Sequence, residues 1–199
     1  MRSISFAGLF FFIFGSLPGM AQQSAFDHLE IVDNEVRTAH QAKYEIKIDS
    51  SLKLLGEFHH QPTYNNKKFN VSLAAFSDGK NIVMIHAETH ADGSGGLDYS
   101  ELPVFALNDV RFTSREQCAS AEDEAELNLN PQIQFVRKKG YDLSLPFYVK
   151  QFFVTSEDRK AEVVISYGTK IASCENLTEG FRSQIEKKVR ETISVRRSK

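Results

Sequence analysis

The chain has 199 residues, 41% of them hydrophobic and 25% charged, enough for one ordinary globular domain and too few for two. This composition excludes a disordered or collagen-like chain. With Lys+Arg 24 against Asp+Glu 26, the formal charge of -2 excludes a dominating electrostatic grip on nucleic acid, so no nucleic-acid partner is expected.

Met1 to Ala21 reads as an export signal. Arg2 supplies the positive end, and the apolar run from Phe6 to Leu17 is shorter than the roughly 20 residues a membrane-spanning helix needs. Pro18 ends the run, and Gly19 and Ala21 place small residues where a signal peptidase requires them, so cleavage is expected after Ala21. No later stretch is apolar enough to cross a bilayer, and residues 22–199 are expected to form a single secreted or periplasmic domain without a transmembrane segment. The two cysteines, Cys118 and Cys174, both follow the cut, and an oxidising compartment makes one intramolecular disulfide the expectation.

Phe26, Leu29, Val32 and Val36 recur at helical spacing, which predicts an amphipathic helix from Ser24 to Gln41. From Tyr44 the period becomes two, with Ile46 and Ile48 alternating against charged residues, and a strand follows; Leu52 to Phe58 continues as a second. His59 to Lys68 is dense in turn formers and predicts a loop. Phe69 to Phe76 and Asn81 to Glu88 flank Asp78-Gly79, the clearest hairpin signal in the chain. Glycines from Asp92 to Gly96 interrupt regular structure, and an extended piece is expected from Val104 to Phe112. Ser114 with Gln117 suggests a capping box opening a short helix that carries Glu116, Glu122, Asp123, Glu124 and Glu126.

Ile133 to Val136 alternates like a strand, and Phe147 to Thr155 with Ala161 to Tyr167 predicts a second hairpin. Phe181, Ile185, Val189 and Ile193 recur every four residues, a helical stripe. The fold class that results is α+β: an antiparallel sheet of about six to eight strands built from hairpins, with an N-terminal helix, a short middle helix and a C-terminal amphipathic helix packed on the sheet. The disulfide is expected to join the helix around Cys118 to the segment after the last strand.

Two metal readings arise between residues 86 and 101. As a calcium loop, His90 occupies the first position, followed by Asp92, Ser94, Asp98 and Glu101 at later ligand positions; a nitrogen donor at the first position and Pro103 in the exiting segment weigh against it. As a strand, His86, Glu88 and His90 share a face and form a donor set for zinc or iron, which His59 and His60, just past the second strand, complete only if the second and fourth strands lie adjacent. The sequence favours the plainer account, a glycine-rich connection with solvated carboxylates and no cofactor, over calcium or zinc.

Lys187, Lys188, Arg190, Arg196 and Arg197 make the C-terminal end basic, which suits the negative helix terminus and also offers weak contact with an anionic surface or acidic partner. No nucleophile elbow, P-loop or dinucleotide fingerprint is present. The expectation is therefore a non-enzymatic binding or interaction module taking a protein or small ligand, with a metal-binding protein or metal-dependent enzyme as the alternative.

Overall fold

A computed structural model of the chain describes residues 26–64 and 66–198. The expected leader, its cut after Ala21 and the expected helix start at Ser24 lie outside the described residues. In chain order the strands are β1 (Leu29–Val32), β2 (Glu35–Thr38), β3 (Tyr44–Ile48), β4 (Lys53–His60), β5 (Thr63–Tyr64), β6 (Lys67–Ser77), β7 (Asn81–His90), β8 (Val104–Leu107), β9 (Val110–Ala119), β10 (Phe147–Thr155), β11 (Ala161–Lys170) and β12 (Ile193–Arg197). The helices are α1 (Glu124–Leu129), α2 (Pro131–Lys138) and α3 (Glu179–Thr192).

Two antiparallel sheets result. The smaller has the order β1-β2-β3-β12, so the last strand closes a sheet begun by the first; the larger runs β4-β6-β7-β11-β10-β9-β8, with β5 paired to β6. The α+β class holds, but the strands fall into two sheets and outnumber the expected six to eight. Both hairpins read from the sequence form, β6 with β7 and β10 with β11. Gly79 supplies the positive φ, 88°, that the first of them requires at its turn.

Both faces of the large sheet are covered, so all but two of the positions of β7 are buried rather than every second one. Val83, Ile85 and Ala87 point to the inner face, where they meet Val36, Ile46 and Ile48 of the small sheet and Ile185 and Val189 of α3. Ile82 and Met84 point to the other face, where Ile133 and Val136 of α2 cover them. Beyond the helix, the loop after β7 brings Leu97 over Phe69 and Val71.

Three expectations about helices are corrected. The N-terminal segment is the β1–β2 hairpin, because the competing alternation of Leu29 and Ile31 prevails and Asp33 accepts the left-handed φ of 53° at the turn. Ser114 to Gln117 lies inside β9; the capping box sits at Ser120 and Asp123 instead, so Glu116 and Cys118 are strand residues. Ile133 to Val136 is helix α2 rather than a strand: Asn130 accepts hydrogen bonds from the Gln132 and Ile133 N–H groups, and Pro131 occupies the first turn.

The C-terminal stripe does form a helix. Thr178 caps α3 by accepting from the Phe181 N–H, and Ile185 and Val189 are buried. The helix stops at Thr192, and Ile193 begins β12, paired in register with Ile48. Cys118 of β9 and Cys174 are disulfide-bonded, with Cα atoms 5.8 Å apart, so the bond joins a strand to the turn before α3. Closing a loop of 56 residues in this way stabilises the fold by about 4 kcal/mol in the chain-entropy model.

Candidate functional site

The six histidines of the chain all lie on or against β4, β6, β7 and β11, divided between the two faces of the large sheet. His59 projects to the inner face, where its Nδ1 lies 3.1 Å from the Ser72 hydroxyl of β6. That hydroxyl also accepts the His28 backbone N–H at 3.0 Å, which fastens the start of β1 to the large sheet. The His28 ring reaches Thr89 of β7 at 3.2 Å and lies 5.3 Å from the His40 ring, whose Nε2 donates to the Glu162 carbonyl oxygen at 3.0 Å. Burial, reinforced by the neighbouring His40, pushes the His28 imidazole down to about 4. Burial also lowers His40, and both rings are neutral at pH 7.

Beside them, Asp27, Glu57 and His59 each offer a ligand atom, and these atoms all lie within 4.8 Å of one another. Glu57 and His59 share a face because they are two residues apart on β4, while Asp27 arrives from the segment leading into β1. Among the described residues, no lysine or arginine comes within ion-pair distance of Asp27 or Glu57. The contact of His59 Nδ1 with Ser72 holds the ring and leaves its second nitrogen for a ligand.

On the opposite face a polar row crosses the sheet. Glu88 is 7% exposed and accepts a hydrogen bond from His86 Nδ1 at 3.0 Å; His86 itself is 6% exposed. Glu162, 2% exposed, lies opposite Glu88 on β11. Burial, with the Glu88 charge beside it, pushes the Glu162 carboxyl up to about 8, so it holds its proton at neutral pH. Tyr99, from the loop after β7, stacks on Phe153 at 4.5 Å and covers Glu162, and its phenol is raised by burial and by that carboxyl. At the other end His60 meets Gln132 of α2 at 3.1 Å and stacks on Phe58 at 5.0 Å. Burial lowers its pKa, with His86 adding to the effect. Among the described residues, His86 Nε2 and Glu162 Oε2 find no hydrogen-bond partner although both are buried.

The residues singled out from the sequence are thereby sorted. His86 and Glu88 touch, whereas His90 turns to the Ser94 hydroxyl at 2.7 Å and packs edge-on against Phe69. His59 and His60 lie on opposite faces of β4, and β6 separates that strand from β7. Along the proposed calcium loop, Asp92 accepts from the Ser94 N–H and Asp98 from the Ser100 N–H, each at 2.9 Å, while Asp98 also pairs with Arg159 at 3.0 Å. Glu101 is exposed, and the loop is entered from a strand rather than a helix.

The basic residues near the C-terminus are partly engaged: Arg190 lies over the Phe105 ring at 4.1 Å, Arg196 pairs with Glu45, and Lys187 stands 3.8 Å from Glu191.

Asp27, Glu57 and Glu162, together with His28, His40 and Tyr99, are members of these clusters that the sequence reading does not single out as site residues. The spacing of two between Glu57 and His59 was a usable signal; the approach of Asp27 and the adjacency of β7 to β11 are tertiary and have no local signature. Compared with protein-family models, curated proteins and solved structures, the chain matches none.

Proposed function

We propose that the chain is a binding domain of an exported, oxidising compartment rather than an enzyme, and that its Asp27, Glu57 and His59 hold a divalent transition-metal ion. The observation that carries this reading is the convergence of three donor atoms within 4.8 Å of one another. Two carboxylates and one imidazole suit zinc, iron or manganese better than calcium, which prefers oxygen alone. The Ser72 contact supplies the orienting partner that metal-bound imidazoles ordinarily have.

The Cys118–Cys174 bond supports the compartment. Glu162, whose carboxyl is raised by burial, is 2% exposed and offers little surface to a substrate, so it is not the centre of this reading.

Elemental analysis and calorimetric titration with zinc, and separately with calcium, test the reading on the full chain. Uptake of zinc that disappears in His59→Ala and in Glu57→Gln but persists in His86→Ala is expected. No uptake, or loss in His86→Ala with His59→Ala unaffected, overturns it; calcium uptake lost in Glu101→Gln does so as well.

A further inference from the structure

Where α3 leans against the end of β11, a cleft of about 300 Å³ opens beside the disulfide. Its size is at the lower end of the roughly 300–1,000 Å³ found for small-molecule sites. Ile185 of α3 contributes a buried apolar side chain to it. Ile171, Leu177 and Phe181 add apolar surface that is packed against the main core yet only partly buried, so the cleft is where that core reaches solvent.

The rim has one sign of charge. Lys80 comes from the β6–β7 turn, Lys170 from the end of β11 and Lys188 from α3, and among the described residues no Asp or Glu lines the cleft. Asp142 neutralises Lys170 at 2.8 Å. Among the described residues, Lys80 and Lys188 have no carboxylate within ion-pair distance. An apolar floor under two uncompensated ammonium groups is complementary to a molecule with an apolar tail and an anionic head.

We propose that this cleft binds a small free amphiphilic anion, a carboxylate or phosphate carried on a short apolar chain. The tail lies on Leu177, Phe181 and Ile185, and the head lies between Lys80 and Lys188. A dissolved molecule fits better than a lipid held in a bilayer, because the apolar surface is recessed in a cleft and two other cationic side chains of the C-terminal segment are engaged elsewhere, Arg190 on Phe105 and Arg196 with Glu45. This site is independent of the metal reading, since it shares no residue with Asp27, Glu57 or His59.

Calorimetric titration of the full chain with sodium octanoate tests the proposal, with sodium acetate as head without tail and 1-octanol as tail with a neutral head. Saturable octanoate binding at least tenfold tighter than either control is expected. The exposed-site variant Lys80→Gln/Lys188→Gln is expected to weaken it about tenfold without moving the thermal midpoint, and Leu177→Ser to weaken octanoate and 1-octanol together. Absence of octanoate binding overturns the proposal, as does equal binding of 1-octanol or an unchanged affinity in the double lysine variant. Cosedimentation with phosphatidylglycerol vesicles that the same lysine substitutions abolish, without octanoate binding, assigns the lysines to a membrane surface and also overturns it.

Discussion

Glu88 and Glu162 face each other as directly paired residues of β7 and β11, two carboxyl side chains on one covered face of the sheet. Two buried charges so close would repel strongly, and retaining a proton on Glu162 removes one of them. Its folded value near 8 lies above the ordinary 4.5, so between these two pH values the folded chain binds more protons than the unfolded one. Stability contributed by this site is therefore complete below about 4.5, falls as pH rises through the window, and levels off above about 8.

Glu162→Gln keeps the shape and removes the titration. It is expected to raise stability at pH 7 by on the order of 2 kcal/mol and to flatten the slope between pH 5 and 8. Urea melts of both proteins across that range measure the difference, and a parallel slope in the variant contradicts the assignment.

Lys150 makes a second high-stakes polar contact, on the inner face. Its ammonium is 2.6 Å from Glu186 of α3 and 5.5 Å from the Phe105 ring, and the side chain is 8% exposed while that of Glu186 is 38% exposed. Removing the more exposed partner leaves the buried charge alone. Glu186→Ala is therefore expected to destabilise by about 1–3 kcal/mol, a value reduced from the fully buried case by solvent at Glu186. Lys150→Met, which removes the charge and keeps the stem, is expected to do less harm, and chemical denaturation of the two variants ranks them.

The hairpins and α3 were legible because their information is local: Asp78-Gly79 between apolar runs, and Ile185 with Val189 at a spacing of four. The first segment is ambiguous in sequence because Leu29 fits both the helical spacing with Val32 and Val36 and the alternation with Ile31, and only the pairing of β1 with β2 and of β2 with β3 decides between them. Asn130-Pro131 did carry a helix start, overlooked because Ile133 and Phe135 also alternate. For the sites, the contact of His86 with Glu88 follows from a spacing of two on one strand. Glu162 joins them only because β11 lies beside β7, an arrangement of strands distant in sequence.

Gly168 tests the covering of the sheet near α2. A Cβ built there would stand 2.6 Å from the Phe147 ring, with Ile82 on its other side at 3.0 Å. The close atoms are the far end of the Phe147 ring on β10 and a methyl of Ile82 on β7, so either the ring turns or a strand of the large sheet shifts to admit the added carbon. Gly168→Ala is expected to lower stability by about 1–3 kcal/mol through overpacking, despite its good backbone compatibility with a strand. A thermal midpoint equal to that of the parent shows that Phe147 has room to rotate away.

The disulfide links stability to the cleft. Cys174 lies between Ile171 and Leu177, both of which line it, and the bond ties this wall to β9, the strand paired with β10. Reducing the bond frees the wall as well as the unfolded chain. Cys118→Ser/Cys174→Ser is therefore expected to lose about 2–4 kcal/mol of stability and, at temperatures where it remains folded, to bind octanoate more weakly. The expected loss falls mainly on dissociation rate, because a loosened wall lets the tail escape without altering the charged rim. Zinc uptake in the same variant is expected to match the parent, since Asp27, Glu57 and His59 are positioned by β1 and β4 rather than by Cys174. Stopped-flow release of octanoate, read beside a zinc titration of the same preparation, separates the local effect from general unfolding: equal losses at both sites mean that the bond acts on the fold as a whole.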